Sequence, residues 1–263
     1  MNKETRTANS VDVKKESLPA ISMFEEDAHK GMEQMGGDDF ALPFIRILGD
    51  LSPQVKKSKA EYIEGARPGM LFNTVSKKLY DGEKGIKVVP CYYKREYVEW
   101  TDRGEGSGAP VAVHPANTPL LGQVQRDAMY KDRLPNGNYL ENTASYFVIV
   151  IGDDGSAETA LITMKSTGLK TSRQWNSMIS SIKMQGKNGL FTPSMFSHVY
   201  HLTTVERSNN KGTWNTWSVA KIGPVEDRGL YQQAKEFAES VSKGDVQAKH
   251  NNEEEESEDK VPF

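Results

Sequence analysis

Hydrophobic spacing changes several times along this chain, and each change marks an element. Residues 1–40 are polar and poor in aromatics, which predicts a flexible arm; Ile21, Phe24, Ala28, Met32 and Met35 fall on one face of a short helix within it. From Leu42 the run Leu-Pro-Phe-Ile-Arg-Ile-Leu opens a β-leaning domain. Residues 70–75 read as a strand, Asp81-Gly82 as a turn, and Ile86 to Trp100 as a long strand bent by a bulge at Pro90. Residues 111–142 show no sustained period apart from the Asn136-Gly137 turn, and are expected to be mostly irregular. Strands follow at 143–151 and 157–165, joined by Gly152-Asp-Asp-Gly155. Residues 166–184 carry the clearest helical signal: Trp175, Met178, Ile179 and Ile182 make one apolar stripe, opposite Lys170, Arg173, Ser177 and Ser181. Strands at 197–206 and 213–222 flank a turn at 209–212. Leu230, Ala234, Phe237, Ala238 and Val241 then define a last amphipathic helix ending near Gly244. Five to seven strands with two helices fit a mainly β (α+β) domain, a small Greek-key barrel with added helices.

Composition narrows the class. No run approaches the ~18 apolar residues of a membrane span, and the N-terminus lacks a secretory apolar core, so a cytoplasmic protein is expected. The single Cys91 cannot form an internal disulfide and argues against a thiolate metal site; it is expected in the core. The formal net charge of −3 is unevenly spread. Residues 253–260 carry six carboxylates and one lysine, residues 1–40 sum to −4, and residues 41–252 therefore sum to +6. From Thr159 through Val205 there is no Asp or Glu, where average acid content would place about six, while Lys165, Lys170, Arg173, Lys183 and Lys187 are all present. Such a bias predicts a surface facing phosphate.

Aromatic residues accompany the charge. Along 92–100, Tyr93, Arg95 and Tyr97 share one face of the strand, and Tyr92, Lys94, Val98 and Trp100 the other. One face could stack bases at roughly 1–3 kcal/mol each; the other use of such residues is barrel core. Trp214 and Trp217 fall on opposite faces of their strand, one for the core and one for a platform, and Tyr200 is open to either role. Enzymatic signals are missing. The Gly-rich loop at 101–110 lacks a Gly-Lys-Ser/Thr ending, Gly152-Asp-Asp reads as a hairpin tip, and His198 and His201 point to opposite faces of one strand. No cofactor, metal or catalytic grouping is expected.

The last eleven residues, Glu253-Glu-Glu-Glu-Ser-Glu-Asp-Lys-Val-Pro-Phe263, join mutually repelling carboxylates to an apolar tip. This segment resembles the acidic C-terminal tip of bacterial and phage single-stranded-DNA-binding proteins. The resemblance implies an OB-fold-like barrel and a tip, Glu258, Asp259, Val261, Pro262 and Phe263, that docks on replication and recombination enzymes. The expected organisation is a flexible arm at 1–40, an OB-like DNA-binding domain at 41–226, a C-terminal helix at 227–243 and a disordered acidic tail at 244–263. The expected protein is phage-encoded and non-enzymatic. It coats single-stranded DNA without sequence preference through Tyr93, Arg95, Tyr97, Lys165, Lys170, Arg173, Lys183, Lys187, Tyr200, Trp214 and Trp217, and it could form homo-oligomers. The alternative is a protein-interaction adaptor with weak or no DNA binding.

Overall fold

A computed structural model describes residues 24, 27–28, 30–35, 41–102, 109–210 and 212–250. The chain divides into two units, Met1–Phe40 and Ala41–Phe263. In the first, Phe24 is helical, whereas Ala28 lies in a turn and Met32 and Met35 flank a turn at 33–34, so the helix their spacing predicts does not extend through them. Local polar bonds hold these turns: Lys30 pairs with Asp27, and the Gly31 N–H donates to Glu33 Oε1 at 2.9 Å. Ile21, part of that expectation, lies outside the described residues.

Among its described residues the second unit is mainly β, built on a curled antiparallel half-barrel sheet with two α-helices. Its spine is β4 (Ile86–Trp100) beside β8 (Tyr139–Ile151), with β12 (His198–Asn209) and β13 (Gly212–Pro224) on one flank. β8 carries β9 (Ala157–Met164) along one part of its far edge, and β7 (Asp132–Arg133) followed by β6 (Gln125–Arg126) along the other; β5 (Ala112–Pro115) pairs with the end of β4. A separate small sheet orders β1 (Ile45–Ile47), β2 (Leu71–Asn73) and β3 (Leu79–Tyr80). It curls the assembly further: Phe44 bridges Leu161 of β9, while Thr204 of β12 donates its N–H to Gly82 O and its hydroxyl to Gly69 O, at 2.8 and 2.7 Å. Gly82 is required at that crossing, since a Cβ there would stand 1.8 Å from Gly69 O.

β4 shows how its sequence writes its shape. Branched and aromatic residues favour a long pleated strand, but proline has no N–H for the ladder. The register against β8 shifts between Pro90 and Tyr92, leaving Cys91 as the extra residue of a bulge. Cys91 is buried, and burial pushes its thiol up to about 12.

Both faces of the sheet are covered. On the inner face Ile86, Val88, Tyr146, Val148, Ile162, Tyr200 and Leu202 form a core under α1 (Gly168–Ser181). Trp175 of α1 is fully buried there, stacked on Tyr146 with centroids 4.2 Å apart and edge-on to Tyr200 at 5.7 Å. On the outer face Val89, Cys91, Phe147, Ile149 and Leu161 meet Ala234, Phe237, Ala238 and Val241 of α2 (Arg228–Lys243). Each fully buried large side chain contributes roughly 1.5–3 kcal/mol of transfer free energy. α2 is framed as its sequence requires: Asp227 Oδ1 accepts from the Leu230 N–H at 2.6 Å, and Gly244 takes φ 89° to end it.

Residues 111–142 are mostly turns and irregular chain, as their lack of period predicts, but β5, β6, β7 and the start of β8 also lie here. Their order comes from long-range polar bonds. Arg133 donates to both Asp102 oxygens at 2.8 and 2.9 Å and to Asp127 at 2.8 Å. Glu99 accepts from Asn138 at 2.6 Å and Asn136 at 3.2 Å, and His114 Nε2 stands 2.8 Å from its other oxygen. Among the described residues, no helix is long and apolar enough to cross a membrane.

Candidate nucleic-acid interface

A cleft of about 210 Å³ opens where three segments converge: β1 and its following loop (45–51), the passage from β9 into α1 (163–168), and the first half of β13 (213–217). The passage is tight. Ser166 takes φ 43°, and the Gly168 N–H donates to Lys165 O at 2.7 Å, which turns the chain from strand to helix within four residues. Thr171 Oγ1 donates to Trp217 O at 3.0 Å and fixes α1 against β13. Ile45, Ile47, Met164 and Trp217 supply apolar lining, and Thr163, Ser166, Thr167, Thr213, Asn215 and Thr216 supply hydroxyl and amide groups. Arg46, Lys165 and Asp50 bring the charge.

The two tryptophans line the cleft with different burial. Trp217 is 6% exposed and belongs to the inner core, whereas Trp214 is only half-buried on the cleft wall. Tyr200, open to either role in the sequence, is fully buried against Trp175, and burial pushes its phenol up to about 12. Neither Tyr200 nor Trp217 therefore presents a free face for a base. Lys165 is likewise withdrawn: its side chain is 2% exposed and its ammonium lies 2.6 Å from Glu141 and 5.7 Å from the Trp100 ring.

The Tyr93, Arg95 and Tyr97 face of β4 is also largely spent on structure. Tyr93 packs on the inner core with its ring 5.0 Å from Tyr146, and Tyr97 is buried with Leu134 and Leu140. Arg95 is exposed, donating to Asn142 Oδ1 at 3.1 Å and to the Tyr97 hydroxyl at 3.3 Å. Of the two roles the sequence leaves open for this face, base stacking or barrel core, Tyr93 and Tyr97 are packed as core.

Apart from Lys165, the acid-free segment keeps its cations outside. Lys170 and Arg173 are exposed on α1, and Lys183 and Lys187 are exposed on and beside a hairpin of β10 (Met184–Gly186) and β11 (Gly189–Phe191). Sequence reasoning passed over this hairpin, although Asn188-Gly189 is a turn signal and Gly189 does take φ 109°. It presents Leu190, Phe191 and Met184, which are 72%, 47% and 38% exposed. Further along the chain Phe196 packs edge-on to Tyr231 of α2 at 5.3 Å.

Among the described residues no group of three or more His, Cys, Asp or Glu could hold a metal ion. The two candidate histidines have separate partners: His198 Nδ1 lies 2.8 Å from Ser197 Oγ, and His201 Nε2 lies 2.7 Å from Lys84 O. The tip residues Glu258, Asp259, Val261, Pro262 and Phe263 lie outside the described residues.

A family model described as "Pam3 phage gp34-like protein" matches residues 13–247. No curated protein and no solved structure matches the chain.

Proposed function

The chain belongs to the Pam3 phage gp34-like protein family, and in that setting we propose that it is a non-enzymatic, sequence-independent single-stranded-DNA-binding protein. It coats exposed strands in phage replication and recombination within the host cytoplasm. The observation that carries this reading is the continuous acid-free segment from Thr159 to Val205, whose Lys170, Arg173, Lys183 and Lys187 all remain exposed. That segment also forms one wall of the cleft bearing Trp214. Cations without competing carboxylates release counterions from a phosphate backbone, and a half-buried indole offers a base a surface to stack on. The curled sheet supports an OB-type barrel as the finer form of the fold.

The acidic run after residue 252 completes the reading. Glu258, Asp259, Val261, Pro262 and Phe263 recruit partner enzymes, and the carboxylates compete with DNA for the basic surface. Deleting residues 253–263 should tighten DNA binding at low salt; unchanged or weaker binding would remove the competition.

Titration of the full chain with oligo(dT), followed by tryptophan fluorescence at several salt concentrations, tests the central claim. Quenching that reverses with salt is expected. Four engaged cations imply a slope of log K against log salt near about −3, at about −0.7 per phosphate. An unchanged signal with no binding by anisotropy would overturn the reading and favour a protein-interaction adaptor.

A further inference from the structure

We propose that the β10–β11 hairpin is a nucleic-acid-gripping finger, in which Phe191 and Leu190 take up bases while Lys183 and Lys187 hold the flanking phosphates. This rests on the strand-binding reading and assigns contacts to Met184, Leu190 and Phe191.

The hairpin forms a sheet of its own, with pairs Met184↔Phe191, Gln185↔Leu190 and Gly186↔Gly189. A hairpin this short has little stability in isolation and gains none from exposing apolar side chains. Yet three of its six strand residues are large, apolar and exposed. Single exposed apolar residues are ordinary, whereas a cluster of them on one projecting element marks a contact surface.

Its geometry suits stacking. Met184 and Phe191 are directly paired and share a face, and Gly186 follows on that face two residues along β10. A Cβ at Gly186 would come within 3.1 Å of the Phe191 ring, so the absence of a side chain lets the ring lie across the strand. Its outer face stays open, with the residue 47% exposed. Leu190 points to the opposite face, so either side of the finger offers an apolar contact.

Charge selects the occupant. Lys183, at the hairpin's foot, donates to Thr192 Oγ1, and Lys187 is exposed in the turn. The nearest carboxylates in sequence are Glu158 and Glu206, and α1, immediately before the hairpin, exposes Lys170 and Arg173. Exposed apolar side chains flanked by two lysines fit a polyanion that carries its own flat apolar faces, as single-stranded nucleic acid does. Duplex DNA buries those faces and fits the patch less well.

Full-length protein and labelled oligo(dT), measured by anisotropy across a salt series, provide the test. Phe191→Ala should weaken binding roughly five- to hundredfold, the range of one lost stacking contact, with little change in salt slope. Phe191→Tyr should restore it. The pair Lys183→Gln and Lys187→Gln should flatten the slope by about 1.4, at about 0.7 per lost phosphate contact. Circular dichroism should match the parent, because the altered side chains are exposed. If the parent binds and these variants bind equally well, the finger is excluded while the strand-binding reading survives. If the parent itself fails to bind, both fall. Variants that change self-association in sedimentation but leave oligo affinity intact would also overturn the finger, in favour of a second copy as its occupant.

Discussion

β4 and the β10–β11 hairpin are made of similar residues and are used in opposite ways. Both combine aromatics with lysine or arginine. In β4 the aromatics are packed: Tyr93 lies against Tyr146 and Tyr97 is buried with Leu134 and Leu140, while the exposed Arg95 keeps its guanidinium 5.9 Å from the Tyr97 ring. In the hairpin Phe191, Leu190 and Lys187 meet solvent. Residue type therefore does not identify the interface in this fold; position in the topology does. A strand with an apolar core packed on each face spends its aromatics on cohesion, whereas a two-stranded sheet of its own cannot cover both its faces.

The contrast can be broken by stability measurements. The largest effect should come from the inner core. Trp175→Ala removes a fully buried ring stacked on Tyr146 and should cost about 3–5 kcal/mol in denaturant unfolding. A loss below about 1 kcal/mol would mean that α1 is not the inner lid.

Next comes Glu99, whose carboxylate is 8% exposed. Burial alone would raise its pKa, but hydrogen bonds from Asn138, His114 and Asn136 outweigh burial and hold it below the ordinary 4.5. A depressed carboxyl stabilises the fold above the unfolded value, and that contribution is lost as pH falls below about 4.5. Glu99→Gln should cost about 1–3 kcal/mol at neutral pH by disturbing the bonds to Asn138, His114 and Asn136, and should flatten the acid limb of stability against pH. An unaltered acid limb would remove Glu99 from the account.

A smaller loss, about 1 kcal/mol, should follow Asp227→Ala, which deletes the cap accepting from Leu230. At the far end of the comparison, Phe191→Ala should change stability by no more than about 0.5 kcal/mol, as expected of an exposed site away from structural features. If it destabilises the protein as Trp175→Ala does, the hairpin belongs to the core and the contrast fails.

Where periodicity was strong, the sequence was informative. The stripe Trp175, Met178, Ile179 and Ile182 marked α1, and Pro90 marked the bulge in β4. Long-range polar bonding was not legible. No periodicity announces that Arg133 will bridge Asp102 and Asp127, so the ordered strands of 112–142 looked irregular. Within the candidate interface, parity separated Trp214 from Trp217 but could not say that α1 would cover Tyr200. The acid-free run pointed to Lys170, Arg173, Lys183 and Lys187, which are exposed, and equally to Lys165, whose burial depends on Glu141 in a distant strand. Phe191 was missed because a three-residue strand is too short to carry an alternation pattern.

The bulge at Cys91 also bears on chain length. Before it, even-numbered residues such as Ile86 and Val88 face inward; after it, the inward residue is the odd-numbered Tyr93. The strand thus contains a phase slip, and the two halves keep their sidedness only because one residue goes uncounted. Removing a single residue elsewhere in β4 would send half the strand's side chains to the wrong side of the sheet. At position 91 the same deletion would join Pro90, opposite Val148, directly to Tyr92, opposite Phe147, and leave the alternation unbroken.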